Sequence, residues 1–236
     1  MLKAPQSFLD DCKTVGLSLN DEAIQMLGRY LHLLLETNKK FNLTAIKEPE
    51  QAWRRHILES LALLPFLEGA TTVIDVGSGG GLPGLPLAIA SPERRFTLLD
   101  ATGKKARFLE TAVAELGLTN VTVLNERAET AGQSPQHRQR YDVAVSRAVG
   151  PMNVLLELTL PLVQVEGRFI ALKGAKAEAE LRDAGDALVV LGGGEVEAYE
   201  ALPNLEDEAV VVVVYKLATT PPEYPRRPGQ PKQEPL

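Results

Sequence analysis

The stretch Val73-Ile74-Asp75-Val76-Gly77-Ser78-Gly79-Gly80-Gly81-Leu82-Pro83-Gly84-Leu85 decides how the rest of the chain is interpreted. Its β-branched residues predict a buried strand, its glycines predict a tight turn, and the apolar run that follows predicts a helix. Glycines let a backbone approach a ligand closely, and a helix start offers unpaired N–H groups and a positive dipole end. The stretch therefore predicts a site for an anionic or carboxylate-bearing cofactor.

Two cofactor interpretations compete for this loop. The segment from Gly79 to Gly84 has the G-x-G-x-x-G spacing of a dinucleotide site. The segment from Asp75 to Gly81 instead resembles motif I of S-adenosylmethionine-dependent methyltransferases, in which an acid precedes alternating glycines. In that pattern Asp75 receives the cationic α-amino group, directly or through water, and Gly79 lies beside it. A glycine-rich turn without a ligand is the third interpretation, but so many glycines cost more entropy than a mere connection needs.

The length and composition limit which classes of protein the chain can belong to. The chain has 236 residues, 44% of them hydrophobic, which suits one α/β domain with an extension. The formal charge of −6 restricts nucleic-acid binding to a local basic patch. The single cysteine, Cys12, excludes an intramolecular disulfide and suits a reducing, cytoplasmic location. No signal peptide is recognised, and the apolar run Ala209–Tyr215 is too short to span a membrane.

The spacing of hydrophobic residues and the composition divide the chain into three parts. Residues 1–67 have helical spacing and predict an N-terminal helical extension packed on the core, with a helix capped by Asn20 or Asp21. Residues 68–218 alternate between strands and helices, and residues 219–236 form a basic, proline-rich C-terminal tail. The predicted strands are Thr71–Val76, Arg95–Leu99, Val121–Leu124, Asp142–Val145, Arg168–Leu172, Glu195–Ala201 and Ala209–Leu217. The predicted helices of this part are Gly84–Ala90, Lys104–Leu116, Met152–Val163 and Ala177–Leu191.

The pattern predicts the fold class α/β, with a doubly wound, mostly parallel, seven-stranded sheet. The last two strands are separated by too short a loop for a crossover helix, so they are expected to form an antiparallel hairpin. This antiparallel C-terminal strand is typical of the Rossmann-like class I methyltransferases and not of the usual dinucleotide fold.

Polar residues follow each predicted parallel strand, where ligands of such sheets bind. Asp100 ends the second strand and suits a pair of ribose hydroxyls, or alternatively the cap of the next helix. Glu129 lies in the segment after the third strand, predicted as a loop that flanks adenine, although an exposed acid is the plainer interpretation. Arg147 follows the fourth strand, where its planar fork suits a carboxylate or a phosphate. Lys173 follows the fifth strand and suits a phosphate.

No catalytic nucleophile and no metal site are recognised. Ser78 and Ser146 lack an obvious histidine partner, since the chain has only His32, His56 and His137. No metal-ligand spacing is present.

The sequence resembles the bacterial small-subunit ribosomal RNA guanine-N7 methyltransferase family, also called glucose-inhibited division protein B. The glycine loop matches at the level of the class alone, whereas the other segments are family-specific in combination. The matching segments are Phe41–Ile46, Arg55–Leu61, Ile74–Gly84, Asp100–Lys105, Arg127–Glu129, Ser146–Val149 and Tyr224–Gly229. One departure is Ser78-Gly79-Gly80-Gly81, where many members have Thr-Gly-Pro-Gly, and it is expected to alter only the stiffness of the loop.

The resemblance implies site residues. The implied contacts of S-adenosylmethionine, which leaves as S-adenosylhomocysteine, are Gly77, Leu82, Asp100, Ala101, Thr102, Ala128, Glu129 and Arg147. The candidates for substrate positioning are Arg147, Lys173, His56 and Asn42. Taken alone, His56 is more often structural, and no catalytic residue is assigned.

The resemblance also implies the chemistry and the partner. The implied reaction is methylation of N7 of a guanine in small-subunit ribosomal RNA, as naked RNA or as a particle, by a monomer. N7 has a free lone pair and loses no proton, so the absence of a general base agrees with this reaction. The candidates for RNA binding are Arg54, Arg55, Lys173, Arg226 and Arg227, and their clusters are hypothesised to gather at the carboxyl edge of the sheet. A disordered end is the alternative for the tail.

Other functions remain open at this point. They are a methyltransferase of the same fold that acts on a protein or a small molecule, an NAD-dependent oxidoreductase that uses Gly79–Gly84, and a non-catalytic RNA-binding module. Cofactor binding separates the NAD interpretation from the others, and turnover separates an enzyme from a module.

Overall fold

A seven-stranded sheet forms the centre of the computed structural model, which describes residues 1–236. Its strands are β1 (Thr72–Val76), β2 (Arg95–Leu99), β3 (Val121–Leu124), β4 (Tyr141–Arg147), β5 (Val163–Lys173), β6 (Gly193–Glu200) and β7 (Val210–Lys216). Their order across the sheet is β3-β2-β1-β4-β5-β7-β6. Strands β1 to β5 pair in parallel, whereas β7 lies antiparallel to both β5 and β6. The predicted fold class, including the antiparallel hairpin, is confirmed.

The inner strands are largely apolar where helices cover both faces of the sheet, whereas the edge strand β6 contains three glutamates. In β7, Val211 and Val213 pack into the hydrophobic core on one face, and Val212 and Val214 pack into the core on the other. Burial on both sides explains why no polar residue alternates within this strand.

Eleven α-helices accompany the sheet. The first two are α1 (Gln6–Thr14) and α2 (Asp21–Asn38), and they are followed by the short helices α3 (Pro49–Ala52) and α4 (Glu59–Leu61). The others are α5 (Gly84–Ala90), α6 (Gly103–Leu116), α7 (Ala128–Gln133), α8 (Met152–Thr159), α9 (Ala177–Arg182), α10 (Gly185–Val190) and α11 (Gln230–Gln233). A 3₁₀ turn covers Leu64–Leu67. None of the helices combines the length and the apolar composition that crossing a membrane requires.

The N-terminal helices share a core with the sheet. Leu27, Leu31 and Leu34 of α2 belong to the same buried cluster as Leu85 of α5 and Leu109 of α6. The start of α2 is capped by Asn20, whose side-chain oxygen accepts the N–H of Ala23 at 2.8 Å. The N-terminal helices therefore contact the sheet and its helices through one buried cluster.

Four local predictions differ from the structure. The N-terminal extension, predicted as helical throughout, contains a π-helical turn over Trp53–Leu58, between α3 and α4. The segment predicted as a loop around Glu129 forms the helix α7. The predicted helix Ala177–Leu191 is broken between α9 and α10, where Gly185 lowers helix propensity. Strand β5 begins at Val163, and its pairing with β4 shifts register before Arg168.

The segment 219–236 packs against α7 and α8. The guanidinium of Arg138 donates to four backbone oxygens, one of them in α7 before it (Gly132) and three in the segment (Thr220, Pro221 and Tyr224). Gln133 of α7 donates to the carbonyls of Pro222 and Pro225. A disordered end does not fit these contacts.

Candidate functional site

The order of the sheet creates a crevice beside β1. The chain runs outward from β1 to β3 on one side and returns to β4 on the other, so the carboxyl ends of β1 and β4 meet at a topological switch point. The glycine loop follows β1, and the segment Arg147–Gly150 follows β4. A ligand site is therefore expected between these two segments.

The glycine loop is held in a conformation that suits glycine. The N–H groups of Gly77 and Ser78 both donate to the carbonyl of Leu99, at 2.8 and 3.0 Å. Gly77 has a φ of +77°, and a Cβ at this position would lie 2.6 Å from a methyl group of Val149. Only a residue without a side chain fits here, because both the backbone angle and the space exclude one.

A cavity of about 330 Å³, which we call the loop pocket, lies in this crevice. This volume is near the lower end of the range for small-molecule sites, which is about 300–1,000 Å³. The lining residues are Val76, Gly77, Leu99, Asp100, Ala101, Lys105, Glu126, Arg127, Ala128, Glu129, Ala148, Val149, Val154, Leu158, Pro231 and Lys232.

Asp100 is fixed at the edge of the loop pocket. One carboxylate oxygen accepts the N–H of Gly79 at 2.9 Å, and the other accepts the N–H of Thr102 at 2.8 Å. The residue is 7% exposed. Each oxygen keeps a second lone pair, so the carboxylate can accept two further hydrogen bonds from a ligand. A pair of vicinal hydroxyls, as in ribose, has this donor pattern.

Asp75 lies under the glycine loop and not in the wall of the pocket. It is fully buried, and one carboxylate oxygen accepts the N–H of Gly84 at 3.0 Å. The other oxygen has no hydrogen-bond partner. Burial raises the pKa of this carboxyl to about 7, partly offset by the bond from Gly84. The expected contact between Asp75 and an amino group does not fit this position, because the carboxylate is turned toward the start of α5.

The carboxylate of Glu129 also forms its hydrogen bonds within the protein. Its carboxylate accepts hydrogen bonds from the guanidinium of Arg127, at 2.6 and 3.1 Å, and from the N–H of Gly229 at 2.8 Å. Burial alone would raise its pKa, but these hydrogen bonds outweigh burial and lower it. The carboxylate therefore connects α7 to the C-terminal segment, and only the remaining surface of Glu129 faces the loop pocket.

A second and larger cavity of about 1,070 Å³, which we call the charged cleft, lies over the ends of β4 and β5. Four cationic and five acidic side chains line it: Arg54, Arg55, Arg147, Lys173, Glu59, Glu180, Glu206, Asp207 and Glu208. Ala148 lines both this cleft and the loop pocket. A group bound in one cavity therefore lies beside a group bound in the other.

Glu59 is the buried centre of the charged cleft. Its carboxylate lies 2.7 Å from a guanidinium nitrogen of Arg55 and 3.0 Å from one of Arg147. Burial raises the pKa of Glu59 and lowers that of Arg147. Another guanidinium nitrogen of Arg147, Nη1, is buried without a hydrogen-bond partner. Arg147 is thus held in place by Glu59 and keeps a donor for a ligand.

His56 joins the π-helical turn to the loop before it. Its Nε2 lies 2.7 Å from the hydroxyl of Thr44, and Asn38 accepts the N–H groups of Leu43 and Thr44. Burial, then the charges of Arg147 and Arg55, lowers the pKa of His56 to about 4. The ring is therefore neutral at pH 7 and holds the loop that contains the exposed Asn42.

Comparison with known proteins identifies the family. The model of the GidB family, rRNA small subunit methyltransferase G, matches residues 23–206. The curated ribosomal RNA small subunit methyltransferase G of Alkaliphilus metalliredigens is 42% identical over 230 residues, covering 96% of each chain. That of Moorella thermoacetica is 43% identical over 227 residues, covering 95% of each. The chain belongs to the rRNA small subunit methyltransferase G family.

Solved structures agree on the fold. An O-methyltransferase from Bacillus cereus in complex with S-adenosylhomocysteine superposes with a TM-score of 0.61 at 18% identity, covering 90% of this chain and 98% of that one. An S-adenosylmethionine-dependent O-methyltransferase from Thermotoga maritima gives 0.53 at 15% identity, covering 80% and 72%. The predictions of the family, of a methyltransferase and of S-adenosylmethionine as its cofactor are confirmed. The oxidoreductase and non-catalytic interpretations are not supported.

The loop pocket fits the cofactor of this family. Gly77 leaves room for a ligand against the loop, and Asp100 offers acceptors for two hydroxyls. Val154 and Leu158 of α8 supply an apolar wall. Five of the predicted cofactor contacts line the pocket: Gly77, Asp100, Ala101, Ala128 and Glu129. Leu82, Thr102, Gly79 and Asp75 do not line the loop pocket, and Arg147 lines the charged cleft instead.

The predicted RNA-binding residues separate into two groups. Arg54, Arg55 and Lys173 come together in the charged cleft, as hypothesised. Arg226 lies elsewhere, where its guanidinium forms a two-pronged ion pair with the buried Glu157 of α8. Arg227 beside it is exposed.

Sequence analysis missed several residues of the site. Tyr30, Asn38 and Glu59 support the glycine loop or the charged cleft from the N-terminal helices. The only available signal for Glu59 was its place in the family-specific segment after His56. Pro231 and Lys232 line the loop pocket without any sequence signal.

Proposed function

We propose that this protein transfers the methyl group of S-adenosylmethionine to N7 of a guanine in small-subunit ribosomal RNA, as a monomer in the cytoplasm. One observation carries the proposal: the loop pocket and the charged cleft meet at Ala148. A pocket that suits a nucleoside cofactor thus opens directly beside a larger cavity that suits a second substrate. Family membership supports ribosomal RNA as that substrate.

The chemistry of N7 explains the composition of the site. The cofactor, when bound, supplies an electrophilic methyl group on a sulfonium. N7 of guanine is unprotonated at neutral pH and loses no proton when it is methylated, so no side chain has to act as a base. His56, the histidine nearest the charged cleft, is buried and bonded to Thr44, which fits a structural role. The protein therefore acts mainly by holding N7 and the methyl group in line.

The charged cleft suits a base that becomes cationic. Methylation of N7 places a positive charge on the guanine ring. The five acidic side chains of the charged cleft outnumber its four cations, and Glu206 and Glu208 are exposed at its edge. Preorganised negative charge near a developing cation lowers the barrier, because the charge is stabilised more in the transition state than in the ground state.

Arg147 and Lys173 position the segment between the two cavities. Arg147 is held by Glu59, and the ammonium of Lys173 donates to the carbonyl of Gly150 at 2.8 Å while pairing with Glu180. Both residues therefore fix the segment 147–150, which contains Ala148. We assign them to the placement of the target base, with the neutral His56 and the loop of Asn42 as support.

The phosphate backbone of RNA fits a different set of cations. Arg54 and Arg55 are paired with Asp11, Glu59 and Asp207, so their charge is largely offset. The exposed Lys40, Lys47 and Lys104 form no salt bridge.

These lysines lie around the glycine loop. Leu43, between Lys40 and Lys47, is close to Gly80 of the loop. Lys104 is the second residue of α6 and lies four positions after Asp100, at the same edge of the sheet. We call Lys40, Lys47 and Lys104 the basic edge, and we assign it to phosphate contacts, with the exposed Arg227 as a further candidate.

The test is a transfer experiment with methyl-labelled S-adenosylmethionine. The acceptors are small ribosomal subunits that lack native methylation and the naked RNA extracted from them, and the RNA is digested and its nucleosides separated. Label in 7-methylguanosine is expected, and the better acceptor identifies the form of the substrate. Label absent from RNA in both samples, while the protein binds the cofactor, would contradict the proposed acceptor.

A further inference from the structure

The C-terminal segment Arg226–Lys232 borders the loop pocket at the end formed by Glu126–Glu129. Pro231 and Lys232 are part of the pocket wall, although about a hundred positions of sequence separate them from Glu126–Glu129. Pro231 is buried, so its ring is packed into the wall and not displayed to solvent. The segment is therefore a physical part of the cavity.

Two bonds fix the segment to the methyltransferase domain. Arg226 binds Glu157 through its Nε and Nη2 atoms, at 2.9 and 2.6 Å from the two carboxylate oxygens, and its backbone N–H donates to the same carboxylate at 2.8 Å. The N–H of Gly229 donates to Glu129 at 2.8 Å. Gly229 has a φ of +89°, which turns the chain from the first bond toward the pocket.

The attachment is obligatory because Glu157 is fully buried in α8. A buried carboxylate without a partner is strongly unfavourable, so α8 is stable in this form only while Arg226 occupies its place. The ion pair with Glu157 also raises the pKa of Arg226. The folded domain thus carries the segment against α8, beside Val154 and Leu158 in the same pocket wall.

We propose that the segment Arg226–Lys232 is part of the cofactor site, where Pro231 and Lys232 complete the pocket around the adenine end of S-adenosylmethionine. Arg226 positions this wall through Glu157 and makes no contact with RNA. The inference rests on the proposed function, because it assigns the loop pocket to the cofactor. It gives Arg226 and Lys232 a different task from RNA binding.

The test measures cofactor affinity by calorimetry with S-adenosylmethionine and S-adenosylhomocysteine, using the full chain. Arg226→Gln removes the ion pair, and Arg227→Gln is the matched control, since Arg227 is an exposed neighbour. We expect Arg226→Gln to weaken both ligands by about tenfold and Arg227→Gln to leave their affinities unchanged.

A second variant distinguishes the effect of losing the pocket wall from the effect of destabilising the protein. Arg226→Gln leaves Glu157 buried and can destabilise the protein, whereas Pro231→Gly with Lys232→Gly keeps both attachment bonds. This double variant is expected to lower the melting temperature less than Arg226→Gln does, because the buried Glu157 keeps its partner, and to lose about fivefold in cofactor affinity. Normal cofactor affinity in both variants would overturn the inference.

RNA affinity, measured without cofactor, tests whether Arg226 contacts RNA instead. We expect Arg226→Gln to bind the ribosomal RNA fragment like the wild type. Weakened RNA binding with unchanged cofactor affinity would assign the segment to RNA and overturn the inference. A wild-type protein that failed to bind S-adenosylmethionine at all would instead overturn the proposed function, so the two failures are distinguishable.

Discussion

At the scale of single residues, Asp100 has the most constrained position in the cofactor site. Its two oxygens are oriented by the N–H groups of Gly79 and Thr102, and its neighbours leave it 7% exposed. The position was predictable, because an acid at the end of the second strand follows from the order of strands along the chain. The bonds of Glu59 to Arg147 and of Glu129 to Gly229 were not predictable, since these partners lie on segments distant in sequence.

Asp100→Asn is expected to weaken S-adenosylmethionine binding by at least about tenfold, because an amide nitrogen would face one of the two backbone N–H donors and disturb the orientation of the group. Calorimetry measures the affinity, and thermal unfolding checks that the variant folds. Glu110→Gln is the control, because it removes an exposed acid from α6, the helix that follows Asp100. Equal affinities for Asp100→Asn and the control would contradict the assigned role.

His56 predicts a dependence of stability on pH. Its folded-state pKa is about 4, below the ordinary value of 6.5, so the unfolded chain takes up a proton first as the pH falls. Stability from this residue is therefore present above pH 6.5 and is lost between pH 6.5 and 4. The difference in unfolding free energy between wild type and His56→Gln should fall by about 2 kcal/mol from pH 8 to pH 5. Urea titrations at both values measure it, and parallel pH profiles would disprove it.

At the scale of elements, helix α2 supports the glycine loop from below. The hydroxyl of Tyr30 donates to the carbonyl of Gly80 at 2.7 Å, and the side chain of Leu34 packs against the same glycine. The N-terminal extension is thus part of the support of the cofactor site.

Tyr30→Phe is expected to lower the unfolding free energy by about 1–2 kcal/mol, because the buried carbonyl of Gly80 loses its donor. Cofactor affinity should also fall by a few-fold, since the loop is then less fixed. Denaturant unfolding and calorimetry measure the two effects. Arg29→Gln is a control on the same helix, because Arg29 bonds to Glu115 at the far end of α6. A loss of stability without any change in cofactor affinity would show that α2 supports the core alone.

The strands were better predicted than the short helices, and the reason is physical. Residues buried on both faces leave a long apolar run, which β7 displays clearly and β1 displays apart from Asp75. Helix α7 has only six residues and depends on the packing of Glu129 and Ala131, which local sequence does not reveal. The π-helical turn at Trp53–Leu58 likewise makes contacts outside its own helix, of Arg55 with Asp207 and of His56 with Thr44.

At the scale of the whole molecule, the distribution of charge matters more than its sum. The net charge is −6, yet many acids are paired with the arginines of the charged cleft and the C-terminal segment. The lysines of the basic edge stay available for phosphates. Composition predicts a local basic patch, and only the fold reveals which cations are already neutralised.

Replacing Lys40 and Lys104 of the basic edge by Gln should weaken RNA binding at low salt and reduce the slope of log affinity against log salt by about 1.5, because each lost phosphate contact removes a released counterion. The matched control replaces Arg95 and Arg140 by Gln, which are exposed at the opposite edge of the sheet. Filter binding across a salt series measures both slopes. An equal decrease in the two variants would indicate a non-specific effect of net charge.

The bond between Glu129 and Gly229 has a consequence for local motions. It joins residues one hundred positions apart, so α7 and the segment that follows Arg226 are expected to open as one cooperative unit. A ligand that binds only the closed form stabilises every part of such a unit equally. Amide hydrogen exchange should therefore slow on cofactor binding both at the glycine loop and around Gly229, and release of the cofactor should return both regions to fast exchange together.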